Sequence, residues 1–102
     1  MGYILAHIKL KYGGTHFRTY DETMKLMISM MEECTGWKLH HRLHTQYGLL
    51  GEVFHVWQVR DAAHVTEGRQ ALGRSEALAD LIAIIGTCIK SESTRYMEGL
   101  DD

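Results

Sequence analysis

Proline is absent from the 102 residues of this chain. That excludes a Pro-rich linker or recognition segment. Cysteine is scarce: Cys34 and Cys88 stand far apart, without metal-ligand spacing. A disulfide-framed scaffold and a cysteine zinc site are excluded, and two reduced, buried thiols in a cytoplasmic protein are expected. There is no basic run, and 11 Lys and Arg face 13 Asp and Glu, a net charge of −2. A nucleic-acid binder held by phosphate contacts is not expected. No apolar run is long enough to cross a membrane. The start, Met1–Gly2–Tyr3–Ile4–Leu5–Ala6–His7, lacks the basic head and long apolar centre of a signal peptide. Neither a Gly-rich phosphate loop nor a Ser-His-Asp or nucleophilic cysteine arrangement is visible.

What is present is an ordinary globular composition, 45% hydrophobic, in a length that suits one domain spanning residues 1–102. Tyr3 to Lys11 alternates in the manner of a strand, and Gly13–Gly14 breaks it. Phe17, Tyr20, Met24, Met27, Ile28 and Met31 then recur at helical spacing, and Gly36 marks the helix stop. Met24, Met27, Met30 and Met31 suit either core or the wall of an apolar pocket. Trp37 to Gln46 and Glu52 to Val59 read as two strands joined by a turn at Gly48–Gly51. Asp61 is placed to cap a short helix ended by Gly68 or Gly73. Ser75 can cap another, carrying Leu78, Leu81, Ile82 and Ile85, with Gly86 as its stop. Cys88 to Met97 is the last strand, and Glu98 to Asp102 should fray. The order is β-α-β-β-α-β with a split second helix, an α+β, ferredoxin-like plan with both helices on one face of an antiparallel sheet.

The third strand holds the most informative pair. His55 and Trp57 are two residues apart, so they share one face. On the first strand, Ile4, Ala6, Ile8 and Leu10 share one face, and Tyr3, Leu5, His7 and Lys9 the other. If Gln46 opposes Val53 in the hairpin, then His44 opposes His55 and Arg42 opposes Trp57. His40, Arg42, His44, His55 and Trp57 would line one face, and Leu39, Leu43, Phe54 and Val56 the reverse. A one-residue slip would change these pairs. Neither face is polar enough to sit bare in water, so a homodimer stacking sheet on sheet is expected.

The candidate site follows from these pairings. His7 and His55 are the candidate general bases toward an acidic phenol or enol. Trp57 can stack on an aromatic ligand. Arg42 or Arg95 can hold a carboxylate or enolate oxygen, with His44 and Tyr3 as further ligand contacts. The competing reading makes Trp57 plain core and the arginines surface groups. His40, His41 and His44 cannot share one metal, because residues four apart on a strand are separated by about 13 Å. His44 and His55 could form a pair, but no third ligand is evident, so no metal and no cofactor is expected.

The chain resembles a NIPSNAP-type member of the dimeric α/β-barrel superfamily over nearly its whole length. The resemblance rests on the short first strand ending in Gly13–Gly14, on Gly48–Leu49–Leu50–Gly51–Glu52–Val53–Phe54–His55–Val56–Trp57, and on Arg95 in the last strand. It implies a homodimer whose two sheets close a barrel, with a pocket in each subunit between sheet and helices. The superfamily includes haem-degrading enzymes, cofactor-independent monooxygenases of aromatic polyketides, cyclases and proteins without known activity, so fold alone does not choose a function. The haem-degrading branch places an asparagine on the first strand, where His7 stands here, a tryptophan matching Trp57, and an iron-ligating histidine late in the second helix. Ser75 to Ile85 contains no histidine, and His64 lies too early to replace it. Three readings follow: a metal-free enzyme of monooxygenase or cyclase type on an aromatic or polyketide-like substrate, a non-catalytic ligand-binding or interaction module, and a haem protein with atypical ligation.

Overall fold

In the computed structural model, which describes residues 1–48 and 50–101, the chain opens with strand β1 (Gly2–Leu10), whose residues alternate between deep and partial burial. Ile4, Ala6, Ile8 and Leu10 point inward and are nearly inaccessible. Helix α1 (Gly14–Thr35) starts at Gly13 and ends at Gly36, whose left-handed φ of 76° lets its N–H close back on the Glu32 carbonyl at 2.9 Å. Strands β2 (Lys38–His44) and β3 (Glu52–Val59) form the hairpin. Its expected turn includes Leu49, and the expected C-terminal fraying includes Asp102; both residues lie outside those described.

The second helix is split as expected, into α2 (Ala62–Arg74) and α3 (Glu76–Cys88), before strand β4 (Ile89–Glu98). Asp61 caps α2 by accepting a hydrogen bond from the His64 N–H at 2.9 Å. Two expected stops do not stop. α2 runs through both Gly68 and Gly73, and α3 runs through Gly86. At Gly68 the reason is contact: a Cβ there would enter the Trp37 indole, so the glycine lets the ring lie against the helix. Ser75 occupies the N-cap position of α3 without donating or accepting a side-chain capping bond. Cys88 is the last residue of α3 rather than the first of β4.

All strand pairs are antiparallel, in the order β2-β3-β1-β4, and the helices lie on one face. This is the ferredoxin-like fold. Its core has two centres. One joins the inward face of β1 to Tyr20, Met24, Met27, Leu78, Ile85 and Cys88; the other gathers Ile4, Trp37, Trp57 and Val59. Cys88 is buried as expected, but Cys34 is exposed, because it falls on the solvent side of α1; both are free thiols. Among the described residues no helix is long and apolar enough to cross a membrane.

The hairpin register departs from expectation. His44 pairs with Val53, Leu43 with Phe54 and Arg42 with His55, a slip of two residues. Two is an even number, so Arg42 and His44 keep the face of His55. A bulge at His40 then changes parity, so Leu39 pairs with Trp57 and turns inward. His40 leaves the inner face, meeting Gln58 at 2.7 Å and the Tyr3 ring at 6.1 Å.

Candidate functional site

The sheet divides the expected site residues between two environments. β1 pairs with β3 so that Ile4 opposes Trp57, Ala6 opposes His55 and His7 opposes Phe54. His55 and Trp57 therefore face the helices. His7 faces away, stacked on Phe54 at 4.4 Å and paired with Glu52. Tyr3 shares that outer face, as does Arg95, which opposes Leu5. His7 does not converge with His55 and Trp57, and neither Tyr3 nor Arg95 reaches them. The cause is strand parity: odd-numbered positions of β1 point away from odd-numbered positions of β3, because an odd residue pairs with an even one.

Behind the inner face lies a cavity of about 430 Å³, a size found for small-molecule sites. Its floor is Ile4, Ala6, Ile8, His55 and Trp57 of the sheet; Met24, Met27 and Met31 of α1 and Trp37 form a wall; Leu72, Ile82 and Ile85 close it from α2 and α3. Arg69, Glu92 and Thr94 add polar groups where it meets the edge strand β4. Both tryptophans of the chain line this space, their rings 6.0 Å apart and set edge to face.

The inner polar group is a pair. The Tyr20 hydroxyl lies 3.4 Å from Nε2 of His55, and both residues are buried. Burial, then the nearby Arg42 charge, pushes the His55 pKa down to about 4, so its ring is neutral at pH 7. Burial, then Glu92, pushes the Tyr20 phenol upward, so it keeps its proton and shares a hydrogen bond with the neutral imidazole. Tyr20 sits in the apolar stripe of α1 and reads as core. The available signal was its hydroxyl, which needs a partner once buried.

Arg42 stands beside this pair but outside the cavity. It donates to Oδ1 of Asp21 at 2.7 Å, and its Nε is buried without a partner among the described residues. Burial alone would raise the Asp21 pKa, but hydrogen bonds and charge from Lys25 and Arg42 outweigh it and hold the carboxyl below its usual range. His44 lies further along β2, exposed, 3.0 Å from Gln46 and tilted against Phe17. With Arg42 opposite His55 instead of His44, the possible two-histidine metal pair does not form, and no cluster of three metal donors occurs among the described residues.

His64 has a structural position. Its Nδ1 accepts from the Arg60 N–H at 3.0 Å, so Nε2 carries the proton and donates to the Thr35 carbonyl at 2.7 Å. Its own carbonyl accepts from the Trp37 indole at 3.0 Å. With both ring nitrogens engaged, His64 ties the end of α1 to the start of α2.

No family model matches this chain, and no curated protein matches it. Solved structures do. A NIPSNAP family protein of unknown function from Agrobacterium tumefaciens superposes with a TM-score of 0.87 at 19% identity, over 97% of this chain and 87% of that one. An uncharacterized NIPSNAP domain protein from Burkholderia xenovorans gives 0.79 at 14% identity, over 97% and 94%. A candidate antibiotic biosynthesis monooxygenase from Nitrosomonas europaea gives 0.71 at 6% identity, over 98% and 99%. The structural neighbours are thus NIPSNAP proteins and ferredoxin-like proteins of the antibiotic-biosynthesis-monooxygenase type, and the fold is theirs.

Proposed function

We propose that this protein binds an apolar, preferably aromatic or polyketide-like small molecule in the cavity between sheet and helices. One observation carries the reading: a drug-sized, largely apolar space has a buried hydrogen-bonding pair, Tyr20 and His55, set into its wall. Such a space binds by excluding water from the ligand, and a few polar groups fix its orientation. With its pKa near 4, His55 is a weak base, which favours a binding role. An anionic phenolate or enolate would raise that value and bring proton transfer within reach. Cofactor-free oxygenation or cyclisation is the enzymatic form of the reading, supported by the likeness to the monooxygenase-type neighbour.

The second half of the proposal is a homodimer formed through the bare sheet face. Leu43, Phe54, Val56, Leu5 and Met97 lie on that face with no helix over them, and Leu43 and Met97 are about half exposed.

The test of binding is a fluorescence titration with naphthol. Both tryptophans line the cavity, so occupancy should change their emission saturably, at one ligand per chain. Emission that changes only linearly with naphthol would remove the proposal.

A further inference from the structure

We propose that the cavity selects an apolar acid, whose carbon body fills the space under the helices and whose carboxylate is met at the mouth by Arg69. The inference rests on the cavity being a small-molecule site, as argued above.

Arg69 belongs to α2 and reaches across to the edge strand, where its Nη2 donates to the Thr94 hydroxyl at 2.7 Å. Thr94 opposes Ala6, so it lies on the side of the sheet that carries the cavity. The contact spans the mouth. It uses one of the five N–H donors of the guanidinium and compensates none of its charge, because a hydroxyl is neutral. Among the described residues Arg69 makes no ion pair, whereas Arg60 of the preceding loop pairs with Glu67 and Arg42 with Asp21. The planar fork of free donors fits a carboxylate in two-point fashion, and the threonine hydroxyl can turn to join it.

Glu92 limits what can enter. It stands two residues from Thr94, on the same face of β4, and also lines the mouth without an ion pair among the described residues. A second negative group on the ligand would be repelled there, while a hydroxyl would be accepted. The cavity thus has two polar stations, Arg69 with Glu92 at the mouth and Tyr20 with His55 within. The ligand they describe is a monoanion with an apolar body.

The test is calorimetry on the full chain at low ionic strength, where a rim charge is least screened. Naphthoic acid is compared with naphthalenemethanol, and octanoic acid with octanol. The acid should bind about tenfold more tightly than its alcohol in at least one pair, the worth of a charge-assisted contact at a partly open site. The pair that binds shows whether the body is flat or a chain. Arg69→Gln should abolish the preference by weakening the acid far more than the alcohol, and Glu92→Gln should widen it. Equal binding of acid and alcohol, or a preference that survives Arg69→Gln, overturns the acid proposal and leaves the cavity reading standing. Absence of binding by all four probes overturns both.

Discussion

The hydroxyl of Tyr20 and the Nε2 of His55 face each other at 3.4 Å across the interface between α1 and β3, each the other's polar partner in a wall of apolar side chains. The imidazole of this pair stays neutral because burial, and then the Arg42 charge, penalise a proton on it.

Stability should therefore fall with acid in a defined window. The unfolded imidazole takes up its proton near pH 6.5, and the folded one only near 4. Between these values the unfolded state binds more protons, so stability is full above the window and declines as pH drops through it. The shift corresponds to about 3 kcal/mol at 1.36 kcal/mol per unit. Denaturant unfolding from pH 7 to pH 4 should show this loss, and His55→Phe should remove most of the slope. An unchanged slope in the variant would assign the acid sensitivity to other groups.

Gly68→Ala should destabilise the fold without touching the polar pair. The new methyl would meet the Trp37 ring head on, and overpacking of this kind costs roughly 1–3 kcal/mol. Thermal unfolding should show a drop of several degrees. Gly73→Ala, where nothing lies within 4 Å, should leave Tm level or raise it, since alanine is the better helix former by about 1 kcal/mol.

The bare sheet face predicts self-association. Light scattering at micromolar concentration should give twice the 11.7 kDa chain mass. Val56→Asp places a charge on that face, opposite Leu5 and His41, and should yield a folded monomer. A wild-type chain that is monomeric at every concentration contradicts the dimer.

Haem should not be held at one per chain. The helix expected to supply an iron ligand, α3, contains no histidine, and His64 has both ring nitrogens committed. Titration with haem should give no stoichiometric Soret band; a one-to-one band would show another ligand at work.

The element order was legible because each element carries its own period: alternation in β1 and β3, the Tyr20–Met24–Met27 stripe in α1, the Asp61 cap before α2. The site was legible only along single strands. His55 and Trp57 share a face by parity alone, but the relation of His7 to them depends on the pairing between β1 and β3. Two strands with clean alternation do not say which of their faces coincide. The bulge at His40 was equally hidden, since an extra residue in an edge strand leaves no mark in its composition. Arg69 reaches Thr94, and Glu92 joins them in the cavity lining, through a long side chain of α2 that extends to β4, a tertiary relation with no local period.

The most direct test of the inner cavity as the binding site is a nitrogen-edited NMR titration with naphthol. The chain has two indole N–H groups, Trp37 and Trp57, and both rings line the cavity. Both indole signals should shift together and saturate, while the side-chain amide N–H groups of Gln58 on the outer face stay in place. Indole signals that stay fixed while those outer-face amides move would place the ligand on the wrong side of the sheet and contradict the account.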